Sequence, residues 1–322
     1  MVETPKIKRI AVLGGGLIGS GWAVFFLWKG YPVHIYDISE EALMATQERT
    51  RRDLQYLSGK GVIPTHSVGA VLDRAEYTTS VERAVKDAQF IQEAAPEKYE
   101  VKQALLAQVD KHAEGEAIFA SSTSGLLITE IARFSEYPGR CLGAHPYNPP
   151  HLIPLVEISK GDRTNEETVK RTYDFYKSLG KEPVVLQKEA PGYIANRLSV
   201  ALYREAVDLV LRGVCTVEDI DRAVCFGPGL RFSLMGPNLI YHLGGGAQGI
   251  QGLIKHIGPS VERWWEDMAI WNKWPDGWPE IARDGVNNEM ENRPPEQGNT
   301  VEQISKWRDD GLVELLKMIK KL

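Results

Sequence analysis

The chain has few cysteines, and those it has do not form a scaffold. Cys141, Cys215 and Cys225 are the three cysteines among 322 residues; their number is odd, and no two stand in a C-x-x-C motif. A disulfide-stapled secreted fold needs a denser, even set, and a zinc or iron–sulfur site needs clustered ligands. We therefore predict reduced thiols, no metal site and a cytoplasmic location.

Long apolar runs and surplus positive charge are also absent from the sequence. Met1–Lys8 contains no signal-peptide core, and no later run is long enough to cross a bilayer. The 38 Lys and Arg residues against 43 Asp and Glu give a net charge of −5. This balance argues against nucleic acid and anionic membranes as partners. The hydrophobic fraction of 43% and the charged fraction of 25% are ordinary for a globular protein.

What the sequence does contain is a glycine turn directly after its first apolar run. The turn has the G-x-G-x-x-G spacing and consists of Gly14, Gly16, Leu17, Ile18 and Gly19 around one further glycine. In this motif the first glycine permits the turn, the second lets the backbone approach a pyrophosphate, and the third lets a helix pack on the strand. The helix N-terminus then offers free N–H groups and a positive dipole end to phosphates. We predict a dinucleotide site here.

An acidic residue indicates which dinucleotide would bind. The second apolar run, residues 32–36, ends in Asp37, at the spacing expected for a ribose-binding acid. A carboxylate at this point accepts hydrogen bonds from the adenosine ribose hydroxyls and repels a 2′-phosphate. The sequence therefore favours NAD over NADP.

The order of the predicted elements divides the chain in two. Strand and helix patterns alternate up to residue 187, whereas helical patterns dominate residues 188–322. This predicts a Rossmann-type α/β domain, with a doubly wound, mainly parallel sheet, over 1–187 and an all-helical second domain over 188–322. Within the second domain we expect one helix over 239–257 and a surface loop over 285–298. Its apolar content predicts a homodimer.

Four polar residues have the chemistry of an alcohol-oxidising site. Ser124 and His145 each follow a predicted strand, Glu157 lies in the next strand, and Asn196 lies in the first helix of the second domain. Histidine suits removal of a hydroxyl proton because its pKa lies near neutral pH, and a carboxylate can orient the imidazole. The serine and the asparagine can hydrogen-bond the reacting oxygen. Taken singly, each residue also has a structural explanation, such as a turn serine or a helix-surface asparagine.

Five motifs in order make the chain resemble the 3-hydroxyacyl-CoA dehydrogenase family over nearly its full length. They are Gly14–Gly19, Ser121–Ser124, His145–Pro149, Leu155–Glu157 and Pro191–Arg197. The resemblance implies a catalytic dyad of His145 and Glu157. It also implies assistance from Asn196 and from Ser124 or Ser121.

Departures from the family pattern point to one of its branches. Ser122 stands where the acyl-CoA enzymes usually carry Asn, and Pro146 stands where they usually carry an aromatic residue. These features, together with Gly229–Pro237, are closer to the lambda-crystallin and L-gulonate 3-dehydrogenase branch, and carnitine dehydrogenases are also similar. We take Ser121 and Ser122 as candidate substrate contacts.

Three further residues are candidate ligand contacts. The resemblance places Glu97 and Lys102 near the cofactor. Arg231 is flanked by apolar residues and glycine, where a solubilising charge is poorly explained. Its guanidinium suits a carboxylate, so we expect it to bind the carboxylate of a free hydroxy acid. The alternative is a structural ion pair.

Five tryptophans within fifteen residues have two interpretations. They are Trp264, Trp265, Trp271, Trp274 and Trp278. Aromatic rings can enclose a quaternary ammonium group, which would suit carnitine. They can equally fill a core or a dimer interface, which is the interpretation we favour.

These observations predict an NAD-dependent dehydrogenase that oxidises the 3-hydroxyl of a small, L-gulonate-like free acid to the 3-keto acid. The alternatives are a 3-hydroxyacyl-CoA or a carnitine dehydrogenase. A further alternative is a redox-inactive, crystallin-like NAD-binding protein.

Overall fold

The computed structural model describes residues 7–322, without the side chain of Thr65, so Met1–Lys6 of the segment searched for a signal peptide lies outside it. The chain divides into two compact units. The first comprises Met1–Arg197 with Lys321–Leu322, and the second comprises Leu198–Lys320.

The first unit alternates strands and helices. Its strands are β1 (Ile10–Leu13), β2 (Val33–Tyr36), β3 (Ala75–Thr78), β4 (Phe90–Glu93), β5 (Ile118–Ser121), β6 (Cys141–Pro146), β7 (Leu155–Lys160) and β8 (Glu182–Val185). Its helices are α1 (Leu17–Trp28), α2 (Glu40–Gly59), α3 (Val68–Leu72), α4 (Val81–Val85), α5 (Tyr99–His112), α6 (Ile128–Ile131) and α7 (Glu166–Ser178).

The eight strands form one sheet in the order β3-β2-β1-β4-β5-β6-β7-β8. Every neighbouring pair is parallel except β6 and β7. Strands β1, β4 and β5 are buried along their whole length, as expected where helices cover both faces of a sheet. The predicted doubly wound, mainly parallel α/β sheet is confirmed. Strand order reverses between β1 and β4, where open α/β sheets bind ligands beyond the strands' carboxyl ends.

Two different cores hold this sheet. Aliphatic residues of α4, α5 and α6 pack with β1, β4 and β5 in one cluster. A second cluster is aromatic: the rings of Trp22 and Phe26 lie 5.3 Å apart, and those of Phe90 and Phe175 lie 4.7 Å apart. Burying one large apolar side chain contributes about 1.5–3 kcal/mol, so both cores anchor the strand ends firmly.

The second unit is helical, as predicted. It contains most of α8 (Ala195–Leu211), then α9 (Val217–Phe226), α10 (Pro228–Phe232), α11 (Pro237–Gly244), α12 (Gly249–Asp267), α13 (Trp278–Asn292) and α14 (Val301–Met318). Thr216 and Thr300 begin α9 and α14 with capping boxes, which satisfy the free N–H groups of the first turn. Within residues 7–322, no helix is long and apolar enough to cross a membrane.

Two expectations for this unit are wrong. The single helix expected over 239–257 is interrupted, because α11 ends at Gly244 and α12 begins at Gly249. Consecutive glycines, which are poor helix formers, separate the two. The surface loop expected over 285–298 is mostly the helix α13. Its polarity reflects an exposed helix surface, and Pro279 and Glu280 favour a helix start.

Candidate active site

The glycine turn has the geometry that a phosphate-binding loop needs. Gly14 lies in the left-handed region with φ of 96°, and a Cβ there would stand 2.7 Å from the Ala94 carbonyl oxygen. A Cβ at Gly19 would stand 1.7 Å from the Gly14 carbonyl oxygen, so α1 could not pack on the turn. A Cβ at Gly16 would point into open space, which leaves room for a pyrophosphate against the backbone.

Asp37 lies beside this turn and is tied to it. Its Oδ2 accepts a hydrogen bond from the Gly15 N–H at 2.8 Å, and its Oδ1 accepts one from the Ile38 N–H at 2.7 Å. Together with Gly14 and Gly16, Asp37 lines a cavity of about 690 Å³ that continues past Ala95. The cavity walls are largely apolar, and the carboxylate lies at their edge. These features fit the adenosine half of NAD.

A buried charge cluster closes the carboxyl end of β4. Glu93 is fully buried, and its Oε1 accepts hydrogen bonds from Lys102 Nζ at 2.8 Å and from the Ala95 N–H at 2.6 Å. The hydroxyl of Ser121, the last residue of β5, donates to Glu93 Oε2. Both oxygens of this buried carboxylate therefore have hydrogen-bond donors, which offset the loss of contact with water.

Glu97 links the loop after β4 to the loop after β5. Its Oε1 accepts hydrogen bonds from the Thr123 hydroxyl at 2.6 Å and from the Ser124 N–H at 2.8 Å. Its Oε2 lies 3.4 Å from Lys102 Nζ. Glu97 and Lys102 thus hold the two loops beside the cavity, and Lys102 is itself buried.

The imidazole and the carboxylate predicted as a dyad are in contact. His145 near the end of β6 is directly opposite Glu157 of β7 in the antiparallel ladder. His145 Nδ1 lies 2.9 Å from Glu157 Oε2. Residues opposite each other in such a ladder share a face of the sheet, so the β6–β7 register brings the pair together.

The backbone at the start of α8 completes the environment of Glu157. Its Oε1 accepts hydrogen bonds from the Ile194 N–H at 2.8 Å and the Ala195 N–H at 2.9 Å. Burial alone would raise the pKa of Glu157, but the hydrogen bond from His145 and these two N–H donors outweigh it and hold the pKa below its ordinary value. The ionised carboxylate can only accept, so His145 carries its proton on Nδ1 and leaves Nε2 free to accept another.

His145 lines a pocket of about 240 Å³ at the carboxyl ends of β5 and β6. The pocket is lined by Ile18, Ser122, Ser124, His145, Pro146, Tyr147, Asn148 and Asn196. Asn196 is held by a hydrogen bond from its Nδ2 to the Ser124 carbonyl oxygen at 3.2 Å. The structure therefore brings Ser122, Ser124 and Asn196 together with His145. Ile18 of the glycine turn also lines this pocket.

Other predicted contacts lie elsewhere. Ser121 is fully buried and its hydroxyl donates to Glu93, so it does not line the pocket. Leu17 is 62% exposed at the start of α1. Arg231 lies on α10 of the second unit, exposed, and among residues 7–322 it forms no ion pair. Its role toward a carboxylate stays a prediction.

The tryptophans of the second unit do not form one cluster. Trp278 is buried, whereas Trp264, Trp265 and Trp274 are each at least 60% exposed. The Tyr203 ring lies 5.9 Å from Trp274 and 6.2 Å from Trp278, and Trp271 lies 6.4 Å from Trp274. One part of the set is therefore core, and the exposed part is surface.

Comparison with known families gives the same assignment as the site. Residues 9–190 match the 3-hydroxyacyl-CoA dehydrogenase NAD-binding domain, and residues 192–276 match the C-terminal domain of the same family. The chain belongs to the 3-hydroxyacyl-CoA dehydrogenase family. It is an NAD-dependent dehydrogenase that acts on a CH–OH group, as the sequence predicted.

Relatives within the family are similar over almost their whole length. L-carnitine dehydrogenase of Bacillus cereus is 36% identical, and the match covers 98% of this chain and 94% of that protein. L-carnitine dehydrogenase of Pseudomonas putida is 38% identical, covering 98% and 95%.

Solved structures of dehydrogenases have the same fold. A 5-formyl-3-hydroxy-2-methylpyridine 4-carboxylic acid 5-dehydrogenase, described as an NAD⁺-dependent dismutase, is 29% identical with a TM-score of 0.78 over 98% of both chains. A (S)-3-hydroxybutyryl-CoA dehydrogenase of Ralstonia eutropha is 25% identical with a TM-score of 0.66, covering 88% of this chain and 93% of that one.

Sequence reasoning about this dehydrogenase missed Tyr193. Its ring stacks on the His145 imidazole at 5.3 Å between centroids and 10° between planes. Tyr193 is buried, and its backbone adopts a φ of 51°, which non-glycine residues rarely occupy. Such local strain is typical of functional sites. No signal in one sequence marks a tyrosine for this role, although Gly192 before it indicates a tight turn.

Proposed function

We propose that this dehydrogenase oxidises the 3-hydroxyl group of L-carnitine, a small free 3-hydroxy acid, to the 3-keto acid. The observation that carries the proposal is identity of 36% and 38% to proteins named L-carnitine dehydrogenase over 98% of the chain. These relatives do not support the L-gulonate-like substrate predicted from the sequence. A dyad in contact beside a pocket also disfavours the redox-inactive alternative.

The dyad supplies the base that the oxidation needs. His145 Nε2 accepts the proton of the 3-hydroxyl, and the charge that develops on the imidazole is stabilised by Glu157 through Nδ1. Ser124 and Asn196, in the same pocket, position the substrate oxygen. When bound along the glycine turn and Asp37, NAD supplies the hydride acceptor.

Carnitine carries two charges that the chain can recognise. Its quaternary ammonium group is attracted to aromatic faces, and Tyr147 is the tyrosine that lines the pocket with His145. Its carboxylate suits the planar fork of an arginine, for which Arg231 is our candidate. Removing the guanidinium with Arg231→Ala should raise KM more for L-carnitine than for L-carnitine methyl ester. In that ester the carboxylate is blocked and the 3-hydroxyl is free.

The substrate is tested by following NADH formation with a panel of hydroxy compounds. L-carnitine, D-carnitine, L-gulonate, 3-hydroxybutyrate and 3-hydroxybutyryl-CoA are compared at equal concentration, and His145→Gln provides the blank. We expect kcat/KM for L-carnitine to exceed the other values by about tenfold or more, because charged groups of the substrate are matched by the site. Equal or faster oxidation of L-gulonate would contradict the proposal.

A second candidate function is 3-hydroxyacyl-CoA oxidation. It is favoured by the fold shared with a (S)-3-hydroxybutyryl-CoA dehydrogenase. The same panel separates the two, because a CoA enzyme would prefer 3-hydroxybutyryl-CoA to both free acids. Its KM would also rise with salt, since recognition of CoA phosphates is electrostatic.

We also propose that a second copy of the chain covers the second unit's apolar surface. Large side chains there are exposed, among them Phe226 at 76%, Ile270 at 89% and Trp265 at 64%. Proteins that stay monomeric rarely expose extended apolar patches, so this surface fits a homodimer. Sedimentation at several concentrations measures the mass in solution. A monomer at all concentrations would contradict the proposal.

The cytoplasmic location predicted from the sequence is also retained as a proposal. It is supported by three cysteines that are free thiols, as expected in a reducing compartment. Fractionation of cells expressing the full chain tests it directly.

A further inference from the structure

A chain of hydrogen-bonded, buried polar side chains lies beneath the pocket and is separate from the His145–Glu157 pair. Tyr176, Gln92 and Trp22 are each fully buried within the aromatic core, and Ser122 connects them to the pocket. The Tyr176 hydroxyl donates to Gln92 Oε1. Gln92 Nε2 lies 2.9 Å and Trp22 Nε1 lies 3.1 Å from the Ser122 hydroxyl oxygen.

The direction of these hydrogen bonds follows from what each partner can do. The Ala120 carbonyl can only accept, so the Gln92 atom 3.2 Å away from it must be the amide nitrogen. The amide oxygen of Gln92 therefore faces Tyr176, whose hydroxyl donates to it. One amide N–H of Gln92 is used by Ala120, and the other is donated to Ser122.

The Ser122 hydroxyl is consequently an acceptor toward the protein on both sides. The Trp22 indole N–H can only donate, as can the Gln92 amide N–H, so both lone pairs of the Ser122 oxygen are occupied. Within residues 7–322 no acceptor receives the proton of Ser122. Because Ser122 lines the pocket with His145, that proton is available to whatever occupies the pocket.

Ser124, the other serine of the pocket, is different. Its backbone N–H donates to Glu97 and its carbonyl accepts from Asn196, but in the described part of the chain its hydroxyl has no hydrogen-bond partner. The Ser124 hydroxyl can therefore rotate freely, whereas the donor direction of Ser122 is set before any ligand binds. Preorganised donors of this kind stabilise developing negative charge most effectively.

We propose that Ser122 is a catalytic residue that donates a hydrogen bond to the reacting 3-oxygen of the substrate. As the 3-hydroxyl proton passes to His145 Nε2, negative charge develops on the oxygen left behind, and the Ser122 proton stabilises it. NAD, held by the glycine turn and Asp37, would supply the acceptor for the C3 hydrogen and its electron pair as the C=O bond forms, and Ser122 keeps its own proton throughout. The inference rests on the proposed function in one respect, that the enzyme oxidises a 3-hydroxyl group. It does not depend on which hydroxy acid is the substrate.

The direct test is Ser122→Ala, assayed with whichever hydroxy compound of the panel the wild-type enzyme oxidises fastest. Loss of one preorganised donor should lower kcat by about 100-fold. Here kcat is calculated from the concentration of NADH-binding sites. We expect the Kd for NADH to change less than about twofold, because cofactor contacts are kept. If the wild type prefers a compound other than L-carnitine, the substrate proposal fails while this test remains valid.

The matched control is Trp22→Phe, which damages the same buried network but keeps the Ser122 hydroxyl. Its melting temperature should fall about as much as that of Ser122→Ala, while kcat should fall by no more than about tenfold, because Gln92 still donates to the Ser122 oxygen. Where Ser122→Ala does not fold, Ser122→Cys keeps a side chain of similar shape with a weak donor, and kcat should fall by about tenfold or more.

Three results would overturn the assignment. One is a kcat for Ser122→Ala within about threefold of wild type. Another is an equal loss of kcat in Trp22→Phe, which would make the role of Ser122 structural. The third is weakened NADH binding with unchanged kcat, which would assign the donor to the cofactor.

Discussion

In the first unit, large aromatic residues such as Trp22, Phe26 and Tyr176 have no exposed surface, whereas in the second unit Trp264 and Trp265 are 60% and 64% exposed. The sheet of the first unit is covered on both faces by its own helices, so its core is complete within one chain. The helices of the second unit leave much of their apolar surface open. The first unit holds the candidate active site, and the exposed apolar surface of the second unit is where we propose that a second copy binds.

The same contrast holds for polar side chains. Glu93, Lys102 and Glu157 of the first unit are buried, and each has an ion-pair partner. In the second unit the ion pair of Arg212 with Asp267 lies at an exposed position, where solvent weakens the attraction between the two charges. Substitutions should therefore affect activity and folding in the first unit, and association in the second.

The largest effect should come from His145→Gln. This change removes the proposed base, so kcat should fall by about 1,000-fold, while NADH binding persists because the glycine turn is untouched. Stopped-flow NADH formation and a fluorescence titration measure the two quantities. His112→Gln, at an exposed position on α5, is the control and should keep wild-type kcat. A kcat for His145→Gln near that of the control would remove the dyad from the mechanism.

A pH-dependent effect should come from Glu157→Gln. The pKa of Glu157 is held below its ordinary value of 4.5, so the ionised carboxylate stabilises the fold above that pH. The loss of unfolding free energy in the variant should be full at neutral pH and shrink as the pH falls below about 4.5. Urea unfolding at a series of pH values measures it. Exposed Glu136→Gln should show little difference at any pH, and a pH-independent loss at Glu157 would contradict the assignment.

A change in the second unit should affect association instead. The double substitution Trp264→Asp and Trp265→Asp places charges on the exposed apolar surface, so the dimer Kd should rise by about tenfold or more. Sedimentation equilibrium measures this Kd. Phe134→Asp, at a 76% exposed position of the first unit, is the matched control and should leave it unchanged. If Phe134→Asp raised the dimer Kd as much as the double substitution does, association would not be specific to the second unit.

The smallest effect concerns the thiols. Burial raises the pKa of Cys141 in β6 to about 12, whereas Cys225 in α9 is exposed. A thiol reagent should therefore modify Cys225 rapidly in the native protein and reach Cys141 only after unfolding, because the thiolate is the reactive form. Mass spectrometry of modified peptides resolves the two sites. Rapid labelling of Cys141 would show that the first unit opens more readily than its packing indicates.

Local patterns were enough to predict much of this molecule. The glycine turn, Asp37 and the alternation of elements depend on neighbouring residues, and they predicted the sheet and its cofactor. The loop expected over 285–298 was wrong because polar composition does not distinguish a loop from an exposed helix such as α13.

Contacts between distant residues could not be predicted in the same way. Gln92 and Ser122 meet through the pairing of β4 with β5, and Tyr176 reaches Gln92 from α7, although the three residues are far apart in sequence. Ser121 and Ser122 are adjacent, yet one is turned to Glu93 and the other to the pocket, because successive residues of an extended chain face opposite ways. A single sequence does not show which of the two faces the ligand.

The antiparallel ladder between β6 and β7 has a consequence for how such enzymes diversify. His145 and Glu157 are opposite each other through backbone pairing, and the connection between them, residues 147–154, contributes Tyr147 and Asn148 to the pocket. The connection can therefore exchange side chains, or change length, while the ladder keeps His145 and Glu157 aligned. Substrate preference can evolve in this segment without rebuilding the chemistry beside it.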